Sequence, residues 1–105
     1  MEYVIVITLC DDKEVALKII EKLLQKKLIA GSHMEEVMST YFWKDEIVNS
    51  KEYKLKFRTR ECLFSEIKAT IKELHNYEVP EISMIKIADA NEEFFNWISE
   101  NTKKV

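Results

Sequence analysis

The chain has 105 residues, 47% of them hydrophobic and 33% charged, enough apolar material for one core beneath a heavily charged surface. Its 16 Lys and Arg against 19 Asp and Glu leave a net charge of −3, which argues against a dedicated nucleic-acid binder with a basic stripe. No apolar run is long enough to span a bilayer and no secretory pattern opens the chain. A single domain over residues 1–105, cytoplasmic and without nucleic-acid or membrane partners, is the expectation.

Residues 3–9, "YVIVITL", are an apolar, β-branched run that predicts a strand buried on both faces. In the next segment, "DDKEVALKIIEKLLQKK", Asp11 is placed to cap a helix, with Glu14 three residues on. Val15, Ala16, Ile19, Ile20, Leu23 and Leu24 then recur at helical spacing, and Lys22, Lys26 and Lys27 gather at the negative end. After Gly31, "MEEVMSTYFW" and "EIVNSKEYKLKFRT" read as two strands turning around Lys44 and Asp45. Tyr53, Leu55 and Phe57 alternate with Lys54, Lys56 and Arg58, so one face packs and the other stays polar. Tyr41, Phe42 and Trp43 instead put aromatics on both faces of the first hairpin strand, a sign that a second copy covers one of them.

Leu63, Phe64, Ile67, Ile71 and Leu74 mark a second amphipathic helix, and "ISMIKIA" a last strand. Asn91 is placed to cap a final helix, "EEFFNWISE", with a sticky apolar face. The order is β-α-β-β-α-β plus a C-terminal helix, which predicts an α+β, ferredoxin-like sandwich with a long hairpin between its second and third strands. Both main helices would lie on one side of the sheet, leaving the other bare unless a partner covers it.

"KKLIA" after the first helix, "YFWKDEI" at the hairpin turn and "LHNYEVPEI" after the second helix, with the closing "FFNWISE", together resemble the CutA family of divalent-cation tolerance proteins. Its members read something like LAAC, YxWxGxI, KTT and LHPYExPEI. Here Gly31 stands for the family cysteine, Asn76 for a proline, Asp45 for a turn glycine, and Arg58, Thr59 and Arg60 for KTT. The resemblance implies a homotrimer of ferredoxin-like subunits, a loose association with copper and other divalent metals, and no firmly attached catalysis.

The candidate site residues cluster around the third of these segments. An imidazole flanked by Glu73 and Glu78, with Glu81 beyond, offers nitrogen and oxygen ligands to Cu(II) or Zn(II), so His75 and Glu78 are the metal candidates. A stable site needs three or four protein ligands, which neighbouring subunits would have to complete. His75 equally suits capping the carbonyl end of the second helix. Pro80 holds Val79 extended ahead of the last strand. Guided by the resemblance, Tyr41, Trp43, Arg58, His75, Tyr77 and Glu81 are the expected lining of a pocket between subunits.

His33 with Met34 reads as a chance neighbourhood rather than a copper site, Cys62 as a buried side chain, and Cys10 as a thiol opposed by Asp11 and Asp12. The two cysteines form no CxxC pair, and no Ser-His-Asp or Cys-His arrangement, Gly-rich phosphate loop or HExxH is present. The expected function is therefore non-enzymatic: weak binding of a divalent metal, copper first, in inter-subunit pockets, with no organic cofactor. The alternative is a trimeric signalling module, like the PII-type proteins, that binds a small metabolite or anion.

Overall fold

The computed structural model describes residues 2–105. The apolar opening run forms β1 (Tyr3–Cys10), followed by α1 (Lys13–Gln25), β2 (Gly31–Trp43) and β3 (Glu46–Arg60). A single 3-10 turn, Glu61–Leu63, leads into α2 (Phe64–Leu74), and β4 (Ser83–Lys86) and α3 (Glu92–Glu100) complete the chain. The sheet order is β2-β3-β1-β4 and every pairing is antiparallel. This is the expected ferredoxin-like arrangement with its added helix.

Register explains the core. Val4, Val6, Thr8 and Cys10 of β1 stand opposite Thr59, Phe57, Leu55 and Tyr53 of β3, so all point to one face. Ala16, Ile19 and Leu23 of α1 and Ile67 and Ile71 of α2 pack over that face, each with no exposed surface. Each such leucine or isoleucine contributes about 1.5–3 kcal/mol by leaving water.

The other face departs from expectation. β1 was predicted to be buried on both sides, but Tyr3, Ile5 and Leu9 are only half-buried. Nor is that face bare: α3 lies across one end, with Phe95 stacked on Tyr3 at 4.4 Å between ring centres and the Tyr3 hydroxyl 2.7 Å from Ser99 Oγ. This nine-residue helix reaches only the base of the long hairpin, at Gly31; farther out the hairpin stays open on both faces, with Tyr41 and Trp43 exposed on this one and Met38, Phe42 and Ile47 on the α1/α2 face.

Local details also move. Asp12, not Asp11, caps α1, accepting from the backbone N–H of Glu14 at 2.8 Å and of Val15 at 3.3 Å. Asn91 occupies the cap position of α3, but its side chain makes no capping bond. β4 is shorter than "ISMIKIA": it pairs with β1 only from Ser83 to Lys86, and past it the Ile87 N–H reaches the Tyr3 carbonyl at 2.9 Å, where β1 begins. Cys62 is exposed rather than buried, since it sits in the outer part of the 3-10 turn while Leu63 turns inward. The hairpin turns where expected, with Lys44 at φ 50° and Asp45 at φ 68°, the left-handed pair that lets two residues join twisted strands.

Candidate functional site

The pairing of Tyr41 with Val48 and Trp43 with Glu46 places these two aromatics on the face away from α1 and α2, in the same row as Ser39. Glu52 pairs with Val37 and shares that face, as does Leu9 through its pairing with Lys54. The loop 76–81 crosses in front of them. Between β2 and this loop opens a cavity of about 770 Å³. Tyr41, Trp43, Tyr77 and Glu81, four of the six residues assigned from sequence to a pocket between subunits, line this cavity of a single chain together with Glu78 and Val79.

His75 positions the loop without facing the cavity. It ends α2 with an extended backbone, and its own N–H closes the helix on the Ile71 carbonyl at 2.8 Å. The ring does not cap the carbonyls of its own helix: Nε2 lies 2.7 Å from the Leu9 carbonyl of β1, while Nδ1 accepts the Tyr77 N–H at 3.1 Å. These partners require the tautomer with its hydrogen on Nε2. Both nitrogens are thus engaged with backbone, and the ring ties the end of α2 to the end of β1. Asn76 adds a second tie through Asp11 Oδ1 at 3.3 Å.

Tyr77 then swings its hydroxyl onto Glu52 Oε2 at 2.5 Å. Burial, and after it this bond to a carboxylate, pushes the phenol far above its ordinary range, so it stays a neutral donor. Glu52 is only 5% exposed and was not picked out from the sequence. The signal was slight: it is the one acid in the polar row Glu52, Lys54, Lys56 and Arg58. Glu81 accepts from Ser83 Oγ at 2.8 Å. Arg58, grouped with the pocket in sequence, does not line this cavity; its guanidinium donates back to the Lys56 carbonyl at 3.3 Å.

The remaining chemistry is inert or dispersed. Burial, with Asp11, Glu52 and Asp12 adding to it, pushes the Cys10 thiol up to about 12. Among the described residues, no three His, Cys, Asp or Glu are grouped to hold a metal ion, so His75 and Glu78 gain no third ligand from their own chain. His33 is exposed on β2, Met34 packs on the core, and Met38 faces outward. At Gly31, a Cβ would stand 3.0 Å from the Trp97 ring, so α3 occupies the space of the side chain that the family pattern carries there.

Comparison with known proteins agrees with this architecture. The family described as CutA1 divalent ion tolerance protein matches residues 4–101. The divalent-cation tolerance protein CutA of Pyrococcus horikoshii is 42% identical over 101 residues, covering 96% of this chain and 99% of that one. Its counterpart in Thermotoga maritima is 40% identical over 86% of this chain and 89% of its own. Among solved structures, CutA1 from Pyrococcus horikoshii superposes with a TM-score of 0.91 at 40% identity, covering 96% of this chain and 99% of that chain. A structure from Archaeoglobus fulgidus, titled a periplasmic divalent cation tolerance protein CutA, gives 0.93 at 29% identity, covering 96% and 99%. The matched motifs, the sheet order and these likenesses have one meaning: this chain belongs to the CutA family of divalent-cation tolerance proteins.

Proposed function

We propose that the protein acts in divalent-cation tolerance as a non-enzymatic homotrimer that binds divalent metal, copper first, weakly between subunits. The observation that carries this reading is the acidic cleft: Glu78 and Glu81 on its rim, Glu52 at its floor, and no Lys, Arg or His in its lining. Two exposed carboxylates from one chain are too few for a tight site, so a neighbouring subunit completes it and affinity stays low. His75 joins the ligands only by releasing the Tyr77 N–H from Nδ1 or the Leu9 carbonyl from Nε2, which makes Glu78 and Glu81 the leading pair.

Assembly is supported by the edges. β2 offers thirteen residues of edge strand and β4 the opposite edge, so copies can add head to tail and close into a ring. The exposed Met38, Phe42 and Ile47 supply apolar area for such a contact. The buried Cys10 thiol gives catalysis no support, since it stays protonated. The free thiols Cys10 and Cys62 favour a reducing cytoplasm; cell fractionation decides between it and the periplasm named for the Archaeoglobus relative.

Native mass spectrometry and Cu(II) calorimetry test the reading together. A trimer is expected, with Glu78→Gln weakening copper binding several-fold and leaving the mass unchanged. A monomer, or an affinity that neither Glu78→Gln nor His75→Ala alters, refutes it. The anion-binding alternative loses ground here, because the cleft presents carboxylates and no lining cation.

A further inference from the structure

Beyond metal, we infer that the cleft between β2 and the loop 76–81 is a binding site for a small organic cation, a quaternary ammonium head seated among aromatic rings and carboxylates. Tyr41 and Trp43 line it from β2 and Tyr77 from the opposite wall. An aromatic face is negative, and it attracts an ammonium within about 6 Å of the ring centre. Trp43 already makes one such contact: Lys44 Nζ lies 5.7 Å from its ring.

Formal charge points the same way. Glu52, Glu78 and Glu81 line the cleft with no basic side chain among them, so an anion is repelled and a cation drawn in. Glu52 is 5% exposed and its Oε2 is held by the Tyr77 hydroxyl, so this carboxylate is set in place before any ligand arrives.

Size and hydration fit an organic cation in addition to a weakly held metal ion. At about 770 Å³ the cavity is in the range of small-molecule sites, roughly 300–1,000 Å³, and far larger than one ion with its ligands needs. A small metal ion binds oxygen ligands and gains nothing from three rings. A quaternary ammonium, with no N–H to hydrate, is weakly hydrated and gains from both the rings and the carboxylates.

The test is calorimetry on the full-length protein in its solution assembly, with EDTA present so that the result is independent of the metal reading. The probes are choline and its uncharged isostere, in which carbon replaces the nitrogen. Choline is expected to bind in the millimolar range or tighter, with Trp43 fluorescence changing along the same isotherm, and the isostere at least tenfold more weakly. Glu52→Gln, which keeps an acceptor for Tyr77, and Trp43→Leu should each weaken choline roughly tenfold. Glu78→Gln, on the exposed loop, provides a variant that leaves the core untouched and should weaken it several-fold. Equal affinity for the two probes, no choline binding by the wild type, or a crystal structure of the assembly with a neighbour's side chains filling the cleft would overturn the inference.

Discussion

The Tyr77 hydroxyl donates to the Glu52 carboxylate at 2.5 Å across 25 residues of sequence, joining the loop after α2 to the middle of β3. Glu52 is 5% exposed, so this bond is what makes its burial tolerable. Tyr77→Phe removes the donor and should cost about 1–3 kcal/mol in urea unfolding. Replacing both partners, as Glu52→Met with Tyr77→Phe, should recover most of that loss because no buried charge is left behind. A double variant as unstable as the single one would show that the pair does more than satisfy its own polar atoms.

The end of α1 is strained at one residue. The Leu28 N–H reaches the Leu23 carbonyl at 2.9 Å and the Lys27 N–H the Leu24 carbonyl at 3.0 Å, while Leu23 and Leu28 are both fully buried. This is a Schellman ending, which requires a left-handed residue and favours glycine. Lys27 supplies it at φ 56°. Lys27→Gly is expected to stabilise the fold by about 1 kcal/mol, seen as a higher denaturant midpoint, whereas Lys27→Ala removes the same charge without the gain.

Two thiols should behave oppositely. Cys62 is exposed and Cys10 buried, so native protein should yield one fast-reacting thiol per chain to a disulfide reagent and two after denaturation. Folding raises the Cys10 thiol from 9.0 to about 12, so its stabilising contribution is complete below pH 9.0 and is lost as pH rises toward 12. The native state then holds a proton that the unfolded chain has released. Cys10→Ala should therefore lose stability less steeply than the wild type over that alkaline interval, measured by urea unfolding at successive pH values.

Thr8 points into the core with its hydroxyl buried and, among the described residues, without a hydrogen-bond partner. Thr8→Val keeps the shape and removes the unmet polar atom. A gain of about 1 kcal/mol is expected; a loss would reveal a partner for the hydroxyl in solution.

What could be read from the sequence was local. The β-branched run of β1, the helical spacing of Ile19 and Leu23, and the alternation of Leu55 and Phe57 each state a periodicity, and periodicity is a property of neighbouring residues. The turn at Lys44 and Asp45 could be placed because both strand patterns break there. Neighbouring acids are harder to separate, and the cap of α1 lay one residue beyond Asp11, at Asp12.

The candidate site was legible only in part, as a set of residue types in the loop after α2. Tyr41, Trp43, Tyr77 and Glu81 do line one cavity, but Arg58 and His75 do not. Nothing near His75 announces that its ring will reach the Leu9 carbonyl 66 residues away. Likewise, nothing around Glu52 announces its burial, because the row it shares with Lys54 and Lys56 reads as solvated.

The sequence by itself determined the order of elements, the hairpin and the core face, since hydrophobic period and turn chemistry act over a few residues. Tertiary structure alone decided which carboxylate is buried, which nitrogen is occupied and where the cleft opens. Those depend on strand register and on a loop crossing the end of the sheet, and both bring together groups far apart in the chain.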